Sequence, residues 1–270
     1  MVKAIKVVAG LIWVYSYATL GAMMAVAAVP AYLLSQWGWD LDLAVGGPSW
    51  WPPLVDAFLG MYFSILGFFV FGIALMIVLP TLRIIFRTLT LFRMKPHIGD
   101  VPTHSFRIFP WYNENGMMFM FNTIYGRFAR LTTLYPWYLR AMGARIGADT
   151  VVNTHHIYDL DIIEIGDKTV IGANASILGH VGEKGRLLRA PVKIGNHCTV
   201  GQYSNIFPGV VMGDNCHVGA MSLVPKGMKL DANAVYGGVP VRKIRDLSPG
   251  KAPTSDETSA TTGVPADGES

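Results

Sequence analysis

Two patterns of apolar residues divide this chain. Up to about residue 95 they form long unbroken runs; from about residue 143 they are single aliphatics spaced at six. No charge occurs between Lys6 and Asp40, and "VVAGLIWVYSYATLGAMMAVAAVPAYLL" (7–34) is long enough to cross a hydrocarbon core of roughly 30 Å at about 1.5 Å per residue. A second uncharged run, "AFLGMYFSILGFFVFGIALMIVLPTL", covers 57–82. Both read as transmembrane helices. A cleaved signal peptide competes for the first, because Lys3 and Lys6 precede it, but its apolar core exceeds the usual roughly 7 to 15 residues. Basic flanks (Lys3 and Lys6 before the first run; Arg83, Arg87, Arg93 and Lys95 after the second) enclose a loop charged only by Asp40, Asp42 and Asp56. Both termini, and everything beyond the second run, are therefore expected on the cytoplasmic side. Residues 1–95 read as a membrane anchor.

The stretches "IIFRTLTLFRMK" (84–95) and "MMFMFNTIYGRFARLTTLYPWYLR" (117–140) mix large apolar groups with spaced arginines and are too short to span. They read as interfacial helices, or as packing surface between membrane and globular parts, within a connector at 96–142.

From Ile146 onward an aliphatic followed by a small residue recurs in a six-residue frame, in "IGADTV", "IGDKTV", "IGANAS", "IGNHCT", "VGQYSN", "MGDNCH" and "VGAMSL", with "IFPGVV" at 206 filling the frame. Three hexads close one triangular coil of eighteen residues. Each aliphatic points into a narrow prism, the following residue turns a corner where a side chain would crowd, and stacked coils bond as parallel strands about 4.8 Å apart. Cys198 and Cys216, eighteen apart, both fall on the inward small position and should lie above one another as small hydrophobes. The rhythm breaks in "ILGHVGEKGRLLRAPVKIG" (177–195), where Ile177 and Ile194 are seventeen apart. A loop must leave the prism there, and its glycines and basic residues suit a flexible flap over a negatively charged donor.

Composition agrees with a partly membranous protein: of 270 residues 51% are hydrophobic and only 15% charged. The net charge of +4 understates how basic the ordered part is, because the tail holds Asp256, Glu257, Asp267 and Glu269 with no Lys or Arg after Lys251. That balance fits anionic lipid or a phosphate-bearing ligand, and no nucleic-acid partner is expected. Residues 248–270 lack large apolar groups and read as disordered.

The hexads, with the ending "GAMSLVPKGMKLDANAVYGGVPVRKIRDL", resemble the hexapeptide-repeat acyltransferases, and the ending is similar to the closing coil and tail of galactoside and maltose O-acetyltransferases. The phrase "YPWYLRAMGARIG", leading into "DLDIIEIGD", is similar to the membrane-embedded C-terminal region of poly-lysine-type non-ribosomal peptide synthetases, although no adenylation or carrier domain accompanies it. The resemblance implies a fold that is membrane α plus all-β: two transmembrane helices and a left-handed parallel β-helix of about four to five coils at 143–247, assembled as a trimer.

It also implies chemistry. In the resembling O-acetyltransferases a histidine at a coil edge, just ahead of an inserted loop, is the general base on the acceptor. His180 matches that position, and an imidazole with an ordinary pKa of about 6.5 suits the task. The alternative is a surface loop histidine. His155, His156, Asp159 and Asp161, in "NTHHIYDLDIIEIG", are candidates for holding the acceptor, since the relatives keep Asn and Asp groups nearby for the acceptor and for orienting the base. A structural role stands beside that reading. Ala220, Ser222 and Lys226 match the motif whose backbone lines the pantetheine groove, with Pro225 a departure that removes one N–H. Arg242 and Arg245 reproduce the arginine pair that reaches the phosphates of CoA; adhesion to anionic lipid is the alternative. His197 and His217 read as solvated. Acyl-CoA, acetyl-CoA foremost, is the implied co-substrate, and no metal is expected because the histidines do not share a face.

The expected activity is transfer of an acyl group from a CoA thioester to a hydroxyl or amine at the cytoplasmic membrane face, on an acceptor that is lipid-linked or delivered at the bilayer. The rival readings are a non-enzymatic trimeric membrane scaffold and a peptide-bond-forming accessory.

Overall fold

The computed structural model describes residues 21–22, 25, 28–34, 36–37, 51–88, 96–103 and 105–247. The chain divides into two compact units, Met1–Met94 and Lys95–Ser270.

In the first unit, one helix runs from Trp51 to Thr88 over 38 residues, with Pro80 inside it. Its stretch Leu54–Thr88 has mean hydropathy 2.6, and among the described residues it is the one helix long and apolar enough to cross a membrane. Large side chains such as Phe58, Ile65, Phe69 and Ile77 are exposed along it. Its hydroxyls are satisfied within the helix, Ser64 donating to the Gly60 carbonyl at 2.7 Å and Thr81 to that of Ile77 at 2.8 Å. The expected first span, 7–34, lies largely outside the described residues, but 28–34 is helical, and a Cβ on Gly67 would stand 3.0 Å from the Ala31 carbonyl oxygen. Trp37 meets Phe63 edge-on at 5.2 Å. Of the stretch 84–95, residues 84–88 continue the long helix, because no breaker interrupts "IIFRT", and 89–95 lie outside the described residues. The tail expected to be disordered, 248–270, also lies outside them.

The second unit opens with strand Gly99–Pro102, followed by helix Phe109–Phe121, a π-helical turn Asn122–Gly126 and helix Leu134–Ala141. Strands from Arg145 onward then stack in parallel on three faces, the left-handed β-helix that the hexads predict. One face stacks Ile146, Ile165, Ile194, Met212 and Leu230; the second carries Val152, Ile171, Val200, Val218 and Tyr236; the third carries Ile177, Ile206 and Val224. All are buried.

Two local rules explain why the period holds. The glycine after each aliphatic sits directly over the next coil: a Cβ on Gly201 would come within 2.4 Å of the Ala220 amide nitrogen. The inward small position closes a hydrogen bond to that coil, Thr169 Oγ1 donating to the Gly195 carbonyl at 2.8 Å and Cys198 Sγ to that of Gly213 at 3.1 Å. Cys198 and Cys216 are buried, free and one coil apart, and burial pushes their thiols up to about 11 and about 12.

The break near His180 differs from the sequence expectation in two respects. Ile177 and Ile194 lie on different faces, so an uninterrupted repeat would separate them by six residues, and their spacing of seventeen leaves a long excursion. Accordingly, Val170 pairs with Thr199, twenty-nine residues on, whereas Thr199 pairs with His217, eighteen on. The excursion is also no flexible flap. It is a hairpin, His180–Glu183 against Arg186–Arg189, turned at Lys184 and Gly185, both with positive φ (49° and 71°), which is the two-residue turn that matches strand twist. Strand Gly99–Pro102 completes a three-stranded antiparallel sheet, and Arg186 pairs with Asp100 at 2.6 Å. Backbone pairing on both sides of Arg186–Arg189, invisible to a search for hexads, orders the loop.

Candidate active site

The site is assembled where the hairpin leaves the prism. His180 is the first residue of the hairpin and follows Gly179, where a Cβ would come within 2.7 Å of Asp159 Cβ; the missing side chain lets the two strands of chain approach. Asp159 is in the left-handed region (φ 59°, ψ 46°), a conformation that Asp tolerates better than most residues, and its side chain is fully buried.

Its two oxygens are used differently. Oδ2 stands 2.5 Å from His180 Nδ1. Oδ1 accepts from Trp111 Nε1 at 2.7 Å, from Arg189 Nε at 3.1 Å and from Asn115 Nδ2 at 3.4 Å. Asn115 Oδ1 in turn accepts the Asp159 amide at 3.3 Å. Arg189 is 2% exposed; its Nη2 donates to Asp161 Oδ1 at 2.7 Å and its Nη1 to the His97 carbonyl at 3.0 Å. Trp111 also sets its ring edge-on to the imidazole at 4.9 Å. Burial pushes the Asp159 carboxyl up, but the hydrogen bond and charge of His180, the charge of Arg189 and the Trp111 hydrogen bond outweigh it, and its pKa is lowered.

An ionised Asp159 fixes the His180 tautomer. Nδ1 carries the proton toward the carboxylate, and Nε2, which makes no hydrogen bond among the described residues, keeps a lone pair. The side chain is 24% exposed, so that lone pair is open to a small group arriving from outside. Such an arrangement can take a proton from a hydroxyl or amine while its orientation stays fixed.

The four residues expected on the acceptor side separate. Asp159 is bonded to His180 and Arg189, and Asp161 to Arg189. His155 and His156 are a different pair, their rings stacked at 4.0 Å. Burial, the charge of His156 and the charges of Arg127 and Arg130 push His155 down to about 4; His156 is lowered by burial and the same arginines. Among the donor-side candidates, Ala220 and Lys226 are exposed, while Ser222 is buried: its hydroxyl accepts from the Gly238 amide at 3.2 Å, its amide donates to Ser204 Oγ at 3.2 Å and its carbonyl accepts from the Asn205 amide at 2.8 Å. Lys226 pairs with Glu183 at 2.6 Å, joining the turn after the last hexads to the hairpin that begins at His180.

Arg242 and Arg245 lie on strand Arg242–Asp246, antiparallel to Ala234–Gly237. Three residues apart on a regular strand, they would point to opposite faces. A bulge prevents this: Arg242 opposes Gly237 and Arg245 opposes Val235, so Ile244 is the extra residue and both guanidiniums emerge on one face. His197 is exposed, whereas His217 is half-buried and lowered by burial and by Arg245. No group of three metal-ligating side chains occurs among the described residues.

Reading the sequence missed Trp111, Asn115 and Arg189. The first two come from a helix outside the repeat, so no periodicity marks them. Arg189 carries a faint signal: in "RLLR" it alternates with buried Leu187, an inward position where a charge needs a partner.

Residues 191–226 match the family model described as bacterial transferase hexapeptide (six repeats). A galactoside O-acetyltransferase of Escherichia coli (strain K12) is 36% identical over 99 residues, 34% of this chain and 48% of that protein. A Delta-poly-L-ornithine synthetase of Acinetobacter baumannii (strain AB307-0294) is 26% identical over 137 residues, 49% of this chain and 10% of that protein. Among solved structures, a maltose O-acetyltransferase of Clostridium difficile 630 is 27% identical, covering 40% of this chain and 61% of that one with a TM-score of 0.35. The chain thus spans less than half the length of these curated relatives. On the family match over 191–226 and the curated relatives, the β-helical part of this chain is similar to the hexapeptide-repeat acyltransferases.

Proposed function

We propose that this protein transfers an acyl group, acetyl foremost, from a CoA thioester to a hydroxyl or amine of an acceptor met at the membrane surface. The observation that carries the reading is His180, held through Nδ1 by buried Asp159 and open at Nε2. A thioester supplies an activated carbonyl and a thiolate leaving group. His180 Nε2 takes the acceptor's proton as its oxygen or nitrogen bonds to that carbonyl carbon, the C–S bond breaks, and the proton passes from the imidazolium to the departing sulfur. Asp159 and Trp111 are positioning residues. The surrounding carboxylates Asp159 and Asp161, offset by one guanidinium on Arg189, favour the positive ring formed when the proton is taken.

For the donor, Arg242 and Arg245 on one strand face are suited to a polyphosphate, and the exposed turn at Ala220, beside buried Ser222, to the pantetheine arm. The helix Trp51–Thr88 supports membrane anchoring, with the β-helix on the cytoplasmic side by the charge rule. A trimer with its sites at subunit boundaries fits a prism whose exposed Val151, Val170 and Val211 call for cover. The longer match to the poly-ornithine synthetase favours an amine acceptor, hence an amide product, as a second reading.

Thermal unfolding of the full-length protein against a panel of acyl-CoAs, on wild type and His180→Ala, tests this. Stabilisation of both by an acyl-CoA, with turnover only in wild type, is expected. No response to any acyl-CoA overturns it in favour of a scaffold.

A further inference from the structure

A second group of polar side chains, away from the dyad, takes no part in this mechanism. Asn122 is 5% exposed and neither of its amide atoms has a hydrogen-bond partner; His155 is 8% exposed and its Nδ1 has none. The two converge on Gly126, where a Cβ would stand 3.0 Å from Asn122 Oδ1 and 3.1 Å from His155 Cβ. Burying such a group without a partner is costly, so a cluster of them points to something that is bound there. Asn122–Gly126 is moreover a π-helical turn, a costly local widening that recurs at functional sites.

The surroundings define the charge of the occupant. Arg127 and Arg130 follow that turn and act electrostatically on both His155 and His156, and among the described residues neither arginine has an ion-pair partner. Two guanidiniums and two stacked imidazoles thus act on one another, and among the described residues no carboxylate is among the charges that shift either imidazole. A carboxylate would offset one of the guanidiniums; a phosphate, with up to two negative charges and several acceptor oxygens, offsets both and offers acceptors to imidazole N–H and amide groups.

We propose that Arg127, Arg130, His155, His156 and Asn122 form a binding site for a phosphate group. This deepens the acyl-transfer reading by making the acceptor a phosphate-bearing molecule, and it rests on that reading only for the word acceptor. The phosphate belongs either to a lipid headgroup, for which exposed Phe128, Leu131 and Leu134 in the same segment provide apolar contact, or to a soluble phosphorylated compound.

The test is histidine-ring NMR of the full-length protein in phosphatidylcholine nanodiscs, titrated with inorganic phosphate at constant ionic strength, beside nanodiscs containing phosphatidic acid. An anion beside the rings favours their protonated forms, so the His155 and His156 titration midpoints should rise by about 1 pH unit or more. A rise with inorganic phosphate points to a soluble source, and a rise only with phosphatidic acid to a headgroup; both support the site. Arg127→Gln/Arg130→Gln should raise the starting midpoints, by removing two cations, and abolish the response. His180→Ala should leave the response intact while losing turnover, which separates this site from the catalytic reading. Midpoints unmoved by either probe, or a response that survives the double arginine substitution, would overturn the proposal.

Discussion

Asp159 Oδ2 and His180 Nδ1 stand 2.5 Å apart across 21 residues of chain, and the same carboxylate meets Arg189 through its other oxygen. One buried charge therefore both orients the imidazole and neutralises a guanidinium that is 2% exposed. Substituting the two residues should have different consequences. His180→Ala should lower turnover by about 100- to 10,000-fold with acyl-CoA binding retained. Asp159→Asn should lower turnover as well and also destabilise the fold by about 1–3 kcal/mol, because Arg189 then keeps Asp161 but loses the charge of Asp159. Steady-state rates read alongside thermal unfolding distinguish them.

Acid should weaken the fold through His155. Its folded pKa of about 4 lies below the ordinary value of about 6.5, so between those limits the unfolded chain binds the extra proton. Stability is accordingly lost as pH falls from about 6.5 to about 4. Asp159, also lowered, holds its contribution above the ordinary carboxylate range and loses it only in stronger acid. Unfolding temperatures measured across this range should fall less steeply in His155→Gln.

Two glycine substitutions should contrast. Gly201→Ala drives a methyl against the backbone of the next coil and should cost about 1–3 kcal/mol. Gly182→Ala meets nothing within 4 Å and should change stability by less than about 0.5 kcal/mol. Denaturant midpoints compare them, and equal values would contradict the coil geometry.

The arginine pair predicts an effect of register. Arg242→Gln/Arg245→Gln should weaken acyl-CoA binding, and increasingly so at low salt, where charge attraction is least screened. Deleting Ile244 removes the bulge but leaves Arg242 and Arg245 two residues apart, on one face of a regular strand, so affinity should be retained. Titration calorimetry with acetyl-CoA measures both.

The buried thiols should be inert. With pKa values of about 11 and about 12, Cys198 and Cys216 carry almost no thiolate near neutral pH, so alkylation of the native protein should be slow and should become fast only on unfolding.

What the sequence determined by itself is whatever repeats locally. An inward aliphatic, a glycine lying over the next backbone and a small hydroxyl or thiol closing one bond are satisfied coil by coil, so the stack from Ile146 to Tyr236 is written in a six-residue period, as the long apolar run is in its composition. Only the tertiary structure decided the rest. Trp111, Asn115 and Arg189 meet Asp159 across 48, 44 and 30 residues. A loop that looked mobile became a strand pair because Gly99–Pro102, from before the repeat, arrives to bond it. Likewise, the three-residue spacing of Arg242 and Arg245 places both on one face only because their strand bulges at Ile244. These contacts depend on desolvating one carboxylate among partners remote in sequence, and on pairing between distant strands, neither of which leaves a period in the chain.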